Sequence, residues 1–348
     1  MNTPDPTDHL DLTDAAANAG AAHLIEQALG HLYSAALRTA ALHHIADHLA
    51  GGPRTAAELA RLTGTDPVFL RRCLRYLASR EVFSEDDHGA FHLTPAAQFL
   101  RTKVPGSLRD AVLMLTDDIF VRSSGALDDT IRTGAPGFPQ VFGAPFFEYL
   151  QGDSRARELF DAGMAAFSEP MDDLVAGAYP FPDQGTVVDV GGGRGGLLRQ
   201  VLLRHPGLSG VLVDQAPALE DHVLDAPGLS GRWRAEPGDF FAAVPDGGDV
   251  YVLKHVLHDW DDEAAVRILS ACRRGLAPGG RVLVVDSVPE PGNGPHPGKA
   301  LDVAMMTLVT GRERGPKELD GLFSRAGLRR TRILSTPTFA SIVEAVAA

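Results

Sequence analysis

Residues 186–196 read T-V-V-D-V-G-G-G-R-G-G, and a helical run, L-L-R-Q-V-L-L, follows directly. A β-branched strand that passes without a linker into glycines and then a helix is a device for bringing backbone close to a ligand. Glycine tolerates the sharp turn, and the helix N-terminus supplies unpaired N–H groups. Gly191, Gly193 and Gly196 satisfy the spacing G-x-G-x-x-G of a dinucleotide-binding loop. Three more short apolar runs follow: G-V-L-V-D (210–214), D-V-Y-V-L-K (249–254) and R-V-L-V-V-D (281–286). Helical stretches and Gly/Pro turns separate them. Alternation of this kind predicts a parallel, doubly wound sheet. The tail R-I-L-S-T-P-T-F-A-S-I-V-E-A-V (332–346) reads as two strands joined at Thr336-Pro337.

The glycine spacing alone does not choose the ligand; three carboxylates narrow it. Asp189 lies two residues before the glycines, at the end of the strand that faces the ligand crevice. It would repel a pyrophosphate and suit an ammonium group. Asp214 ends the next strand, where an acid accepts from both ribose hydroxyls; this suits nicotinamide and adenosyl ligands equally. Asp239 and Phe240, in G-D-F-F, precede D-V-Y-V-L-K; the carboxylate suits an adenine amino group and the ring packs on the base. A helix ending in L-A-P-G-G (276–280) leads into R-V-L-V-V-D.

Upstream the texture is helical. Residues 1–17 read as disordered. From about 19 to 50, Ile25, Leu29 and Leu32 form one helical stripe and Leu42, Ile45 and Leu49 another. Thr55 with Glu58 forms a capping-box start, and Asp66-Pro67 an N-cap followed by proline at the first helical position. V-F-S-E-D-D-H-G-A-F-H-L-T (82–94) predicts a hairpin around His88-Gly89. Helix, helix, helix, hairpin is the order of a winged helix. Residues 105–180 are largely helical, broken at G-A-P-G-F-P-Q (134–140).

Composition bounds the function. The chain has 348 residues with 32 Lys and Arg against 45 Asp and Glu, a formal net charge of −13. That length accommodates two domains. The charge opposes nucleic acid as a partner, because phosphate binding needs a basic footprint. The helix D-P-V-F-L-R-R-C-L-R-Y-L-A-S-R (66–80) carries four arginines, but the wing after it is E-D-D-H. Cys73 and Cys272 are too few and too far apart for a disulfide framework or a Cys-rich zinc site. No signal peptide and no run approaching a membrane span is legible, so a cytoplasmic protein without membrane association is expected.

Together, D-x-G-G-G, the strand-end Asp214, G-D-F and L-x-P-G-G resemble the class I S-adenosylmethionine-dependent methyltransferases. K-H-V-L-H-D-W-D-D-E-A (254–264) narrows the likeness to the O-methyltransferases of the plant caffeate and actinomycete antibiotic-tailoring type. The segments F-F-E-Y-L (146–150), F-D-A-G-M (160–164) and G-R-E-R-G-P-K-E-L-D (311–320) have counterparts there as well. The resemblance implies an α/β, Rossmann-like catalytic domain (181–348), a doubly wound sheet with an antiparallel last strand. A mostly α, winged-helix dimerisation domain (18–105) precedes it, followed by a helical linker and substrate-pocket segment (106–180). It implies S-adenosylmethionine as cofactor, S-adenosylhomocysteine as product, no metal, a small aromatic substrate and a homodimer.

Carried over residue by residue, the resemblance makes His258 the general base, flanked by Asp286 and Glu313. Plant members have Glu at the position of Asp286, a side chain longer by one methylene. Lys254 and Trp260 fall beside the adenine, with Ser168 on the methionine carboxylate. Phe142, Phe146, Met164, Phe167, Met305 and Met306 are expected in the walls of the acceptor pocket, with Asp302 nearby.

The chemistry of these residue types agrees. Methyl transfer from a sulfonium is an in-line displacement, and the acceptor must lose a proton. A phenol of pKa near ~10 can give it to an imidazole near ~6.5 as the bond forms. A flanking carboxylate fixes the tautomer. Three other readings compete. His255-x-x-His258 with Asp259 or Asp262 could hold a metal, but the pair lacks a defined third ligand, and His255 at the strand end reads as a packed histidine. A relative that uses the bound sulfonium for hydroxylation, decarboxylation or pericyclic chemistry would keep the same fold. A ligand-responsive winged-helix regulator would need salt-dependent DNA binding. Asp261, Asp262 and Glu263 read as the cap and acidic first turn of the next helix.

Overall fold

The computed structural model describes residues 15–348, and the contacts divide the chain into a unit ending at Thr116 and a second, Asp117–Ala348. The disorder expected for residues 1–17 falls mostly outside the described residues; from Ala15 the chain is helical.

In the first unit the single helical stretch read for 19–50 is three helices: Ala15–Ala28, Gly30–Leu42 and Ile45–Leu49. The second break falls at His44, which adopts the left-handed conformation, φ 51°. Ile45 and Leu49 are buried, but Leu24, Ile25, Leu29, Leu32 and Leu42 are exposed. The stripe read from spacing is therefore real in part only. The two capped helices form as expected. Thr55 and Glu58 make the full capping box of Ala56–Thr63, and Asp66 accepts from the Val68 and Phe69 amides at the start of Pro67–Ala78. Strands β1 (Arg54–Thr55), β2 (Phe83–Glu85) and β3 (Ala90–Leu93) make a small antiparallel sheet in the order β1-β3-β2, with Gly89 at φ 75° in the hairpin turn.

The second unit begins with short helices and the long helix Ser154–Ala178. Its sheet has seven strands: β4 (Gly185–Val190), β5 (Leu208–Asp214), β6 (Trp233–Pro237), β7 (Gly248–Lys254), β8 (Leu276–Ser287), β9 (Leu328–Ser335) and β10 (Ala340–Ala347). The order is β6-β5-β4-β7-β8-β10-β9. All pairs from β6 to β8 are parallel; β10 inserts antiparallel between β8 and β9. The central strands are buried on both faces, which is why they read as unbroken apolar runs.

Two readings need correction. β6 was not legible, because at the sheet edge W-R-A-E-P needs few apolar residues. G-D-F-F therefore follows a strand rather than merely preceding β7. L-A-P-G-G opens β8 rather than ending a helix; the helix Asp262–Gly275 stops one residue earlier.

A candidate methyl-transfer site at the carboxyl ends of the strands

Strand order reverses beside β4, and ligands of open α/β sheets bind at such a point. The chain leaves β4 with Gly191 and Gly193 at φ 67° and 56°, and Gly195 at 79° begins the helix Gly196–Arg204. A Cβ on Gly196 would overlap the Asp172 carboxylate, so the loop and the helix Ser154–Ala178 need glycine at their closest approach.

Asp189 is 2% exposed, and neither carboxylate oxygen has a hydrogen-bond partner. Burial pushes its pKa up to about 7, against a smaller opposing pull from Lys254. Asp214 accepts from the Gly193 amide at 2.8 Å and the Gln215 amide at 2.7 Å, so it ties the glycine loop to the end of β5. Asp239 accepts from the Phe241 amide at 2.9 Å, which fixes the turn presenting Phe240. Trp260 meets Phe240 and Phe241 edge-on and stacks on Phe147 at 5.5 Å. Lys254 forms a buried ion pair with Asp172, a partner that sequence reasoning missed and that no local pattern signals across 82 residues. Ser168 stands one turn before Asp172 on the same helix.

His258 sits on a short 3-10 turn, Leu257–Asp259, just beyond β7. Its Nδ1–H donates to Glu313 Oε1 at 2.9 Å; the Glu313 side chain is 1% exposed. Nε2 lies 3.5 Å from Asp259. Burial alone would lower the imidazole pKa, but Asp259, the Glu313 hydrogen bond and Asp286 outweigh it and raise it to about 10. Burial raises Asp286 to about 7 and Asp259 to about 6.

The segment 311–314 clamps this turn. Gly311 packs against the His258–Trp260 backbone so closely that a Cβ would overlap the His258 carbonyl. Arg314, 3% exposed, donates to the Leu257 carbonyl at 2.8 Å and the Trp260 carbonyl at 2.6 Å, and grips Asp262 with Nε and Nη2. Asp302 accepts from the Glu313 amide at 2.9 Å, so that oxygen braces the Glu313 loop. Asp261 caps the following helix through the Ala264 amide, as its position suggested.

The expected wall residues divide into two groups. Phe142 and Phe146 belong to an aromatic cluster with Phe138, and Phe146 is buried in it. Phe167 packs on His255 and Phe339. Met164 is half-buried on the long helix; Met305 and Met306 are half-buried on Pro297–Leu308, beside Asp302.

The H-x-x-H motif takes an altered form. His255, His258 and Asp286 each offer one ligand atom within 4.8 Å of the others, whereas Asp262 is held by Arg314. Six of the ten buried side-chain atoms without a hydrogen-bond partner among the described residues lie in this region. They are both oxygens of Asp189, His255 Nε2, Asp286 Oδ1, Ser287 Oγ and Glu313 Oε2. Buried polar groups are normally satisfied, and four of these six are carboxylate oxygens. Such a site fits a ligand rich in donors and positive charge, and it does not fit a pyrophosphate.

The chain is recognised by two family patterns, the O-methyltransferase domain over residues 125–329 and the O-methyltransferase dimerisation domain over 25–103. It belongs to the O-methyltransferase family. O-demethylpuromycin-O-methyltransferase of Streptomyces alboniger is 39% identical over 349 residues, spanning 97% of this chain and 93% of that one. The crystal structure of CalO1, a methyltransferase in calicheamicin biosynthesis, in its SAH-bound form, superposes with a TM-score of 0.88 at 45% identity, covering 98% of this chain and all of that one. Aclacinomycin 10-hydroxylase RdmB of Streptomyces purpurascens is 34% identical over 94% of this chain and 88% of its own. The fold is thus the class I methyltransferase fold expected, and the enzyme is an S-adenosylmethionine-dependent methyltransferase.

Proposed function

We propose that this enzyme methylates a phenolic or hydroxylated aromatic small molecule of secondary (antibiotic) metabolism, with His258 as general base. The observation that carries this reading is the buried His258–Glu313 hydrogen bond, together with Asp189, which is buried at the glycine loop with both carboxylate oxygens unpartnered.

Bound S-adenosylmethionine supplies an activated methyl group on a sulfonium. In this reading Asp189 takes the ammonium, Ser168 the methionine carboxylate and Asp214 the ribose hydroxyls. Asp239 takes the adenine amino group, between Phe240 and Trp260, while Gly191 and Gly193 let the backbone close on the ligand. Lys254 shapes that wall through its ion pair with Asp172. With the cofactor bound, the acceptor hydroxyl would give its proton to His258 Nε2 as its oxygen takes the methyl group, and the methyl–sulfur bond would break to leave neutral S-adenosylhomocysteine. Glu313 holds Nδ1–H and fixes the tautomer, and Asp286 adds negative charge that favours the imidazolium. Phe167, Met164, Met305 and Met306 are the wall residues we retain. Displacement at a sulfonium needs no Lewis acid, so we assign no resident metal to the His255–His258–Asp286 group.

We also infer that the enzyme works as a homodimer, with exposed Leu24, Ile25, Leu29 and Leu32 covered by a second copy. No helix among the described residues is long and apolar enough to cross a membrane. The unpaired Cys73 and Cys272 suit a reducing, cytoplasmic setting, and the acidic chain speaks against a nucleic-acid partner.

The test is methyl transfer from labelled S-adenosylmethionine to hydroxylated aromatics, wild type beside His258→Ala. The expected result is a 10²–10⁴-fold (order-of-magnitude) loss of turnover with S-adenosylhomocysteine binding kept. Equal turnover would remove His258 from the chemistry. A product heavier by oxygen rather than by methylene would support the hydroxylating reading that the RdmB likeness keeps in view.

A further inference from the structure

His255 takes no part in the mechanism above, yet three independent features set it apart. It is one of three non-glycine residues with positive φ among the described residues, at 54°, immediately after β7 ends. That conformation is strained for a bulky side chain, and such strain persists where the surroundings enforce it, often at functional sites. Its side chain is 6% exposed, and Nε2 is fully enclosed with no hydrogen-bond partner. Its ring stacks on that of His258, with centroids 5.4 Å apart and an angle of 29° between the planes, while Phe339 and Phe167 pack against it.

The result is a second imidazole–carboxylate pair beside the first. His258 is joined to Glu313 at 2.9 Å; His255 Nδ1 lies 3.8 Å from Asp286 Oδ1, an oxygen that also lacks a hydrogen-bond partner. The two rings differ in charge. Burial, with the charges of His258 and Lys254, holds His255 well below the ordinary histidine range, so it is a neutral donor and acceptor at pH 7.

We propose that His255 and Asp286 form a second polar anchor that binds a heteroatom substituent of the aromatic acceptor close to the hydroxyl His258 deprotonates. This inference rests on the methyl-transfer reading above and names its substrate class: an ortho-substituted phenol carrying an amino or second hydroxyl group. The nearly parallel rings set two imidazoles side by side at one centre, and Phe167 and Phe339 pack on His255 as an apolar border. An acceptor without the second group leaves His255 Nε2 and Asp286 Oδ1 buried and unpaired, and that penalty is the source of the selectivity.

The experiment compares matched acceptors, 3-amino-4-hydroxybenzoate and 3,4-dihydroxybenzoate against 4-hydroxybenzoate. Labelled S-adenosylmethionine reports turnover, and calorimetry on the S-adenosylhomocysteine complex reports binding. The expected wild-type preference for the ortho-substituted members is roughly 10–100-fold in kcat/KM, the range of a lost buried hydrogen bond. In His255→Phe the ratio falls to near one. His255→Asn, which tolerates positive φ, checks that the loss follows the imidazole rather than backbone collapse, and it retains an intermediate ratio. A wild type without preference, or a preference untouched in both variants, overturns the proposal. The methyl-transfer reading fails separately, as no label in any acceptor. In that case a binding preference abolished by His255→Phe still supports the anchor, and no binding preference overturns it.

Discussion

Arg314 offers a sharp test of how the base is held. Its guanidinium is buried and makes four hydrogen bonds, two to the Leu257 and Trp260 carbonyls that flank His258 and two to Asp262. The Asp262 side chain is 36% exposed, so screening leaves that ion pair roughly 1 kcal/mol at most. The carbonyl bonds are enclosed and charge-assisted, and losing both leaves two buried acceptors unpaired at about 1–3 kcal/mol each. Arg314→Met is therefore expected to destabilise the protein by ~3–5 kcal/mol. Arg314→Lys, whose ammonium reaches one carbonyl but cannot fork, is expected to lose about half of that. The functional effect is larger than the stability effect, because the 3-10 turn carrying His258 loses its outer support. A displacement near ~1 Å costs a reaction of this kind about 10²-fold. Thermal melting and steady-state kinetics on Arg314→Lys are the assays. The expectation is a kcat lower by about two orders of magnitude, with affinity for S-adenosylhomocysteine within about tenfold of wild type. A variant that melts early but keeps kcat within twofold would show that the turn needs no clamp, and the reasoning would be refuted.

Gly311→Ala attacks the same contact from the other side. Overlap with the His258 carbonyl should lower both melting temperature and kcat, and a silent variant would show that the loop can yield. The ligand-free protein should lose stability steadily between about pH 4 and 10, read as falling melting temperature. The signs agree. Asp189 and Asp286, both raised to about 7, cost stability as pH climbs from the unfolded carboxylate value to that point. His258, raised to about 10, gives stability that is whole below about 6.5 and gone above its folded value. Asp189→Asn should flatten the lower part of that slope, and an unchanged profile would remove Asp189 as its cause. S-adenosylmethionine, a sulfonium, should displace more protons from the site than the neutral thioether S-adenosylhomocysteine. Calorimetry near pH 8 in buffers of different ionisation enthalpy reads the difference, and equal release would mean His258 does not sense the cofactor's charge.

The sequence exposed the parts of this site that repeat locally. Asp189, Asp214 and the glycines sit at strand ends, where alternation of apolar runs and turns marks the crevice, and the H-D-W motif marks the base. Contacts that join distant segments left no local trace. Arg314 gripping the His258 turn, Asp172 paired with Lys254 and Asp302 bracing Glu313 are long-range, and each side chain could equally serve as a solvated charge. β6 escaped because an edge strand buries one face at most and its composition shows it. His255 packs against Phe167 and Phe339, as its strand-end position suggested, but its backbone strain was not legible. A histidine at a strand end packs in most proteins, and positive φ at a non-glycine residue cannot be read from composition.

The two histidines of H-x-x-H also resolve an apparent contradiction in the chemistry. A general base must be neutral when it acts, yet three carboxylates raise His258 to about 10 in the ligand-free protein. The same acids explain why the site is poised rather than blocked. Burial raises Asp286 toward its protonated form, so the cluster carries less negative charge than its composition suggests. Any cation bound nearby favours loss of the His258 proton, and Glu313 then keeps Nδ1–H in place so that Nε2 is the nitrogen left open. His255, held neutral by the same burial and by His258 itself, cannot compete for that proton. Environments that push two imidazoles apart divide their work: one moves the proton, and the other remains a fixed polar contact for the molecule that gives it up.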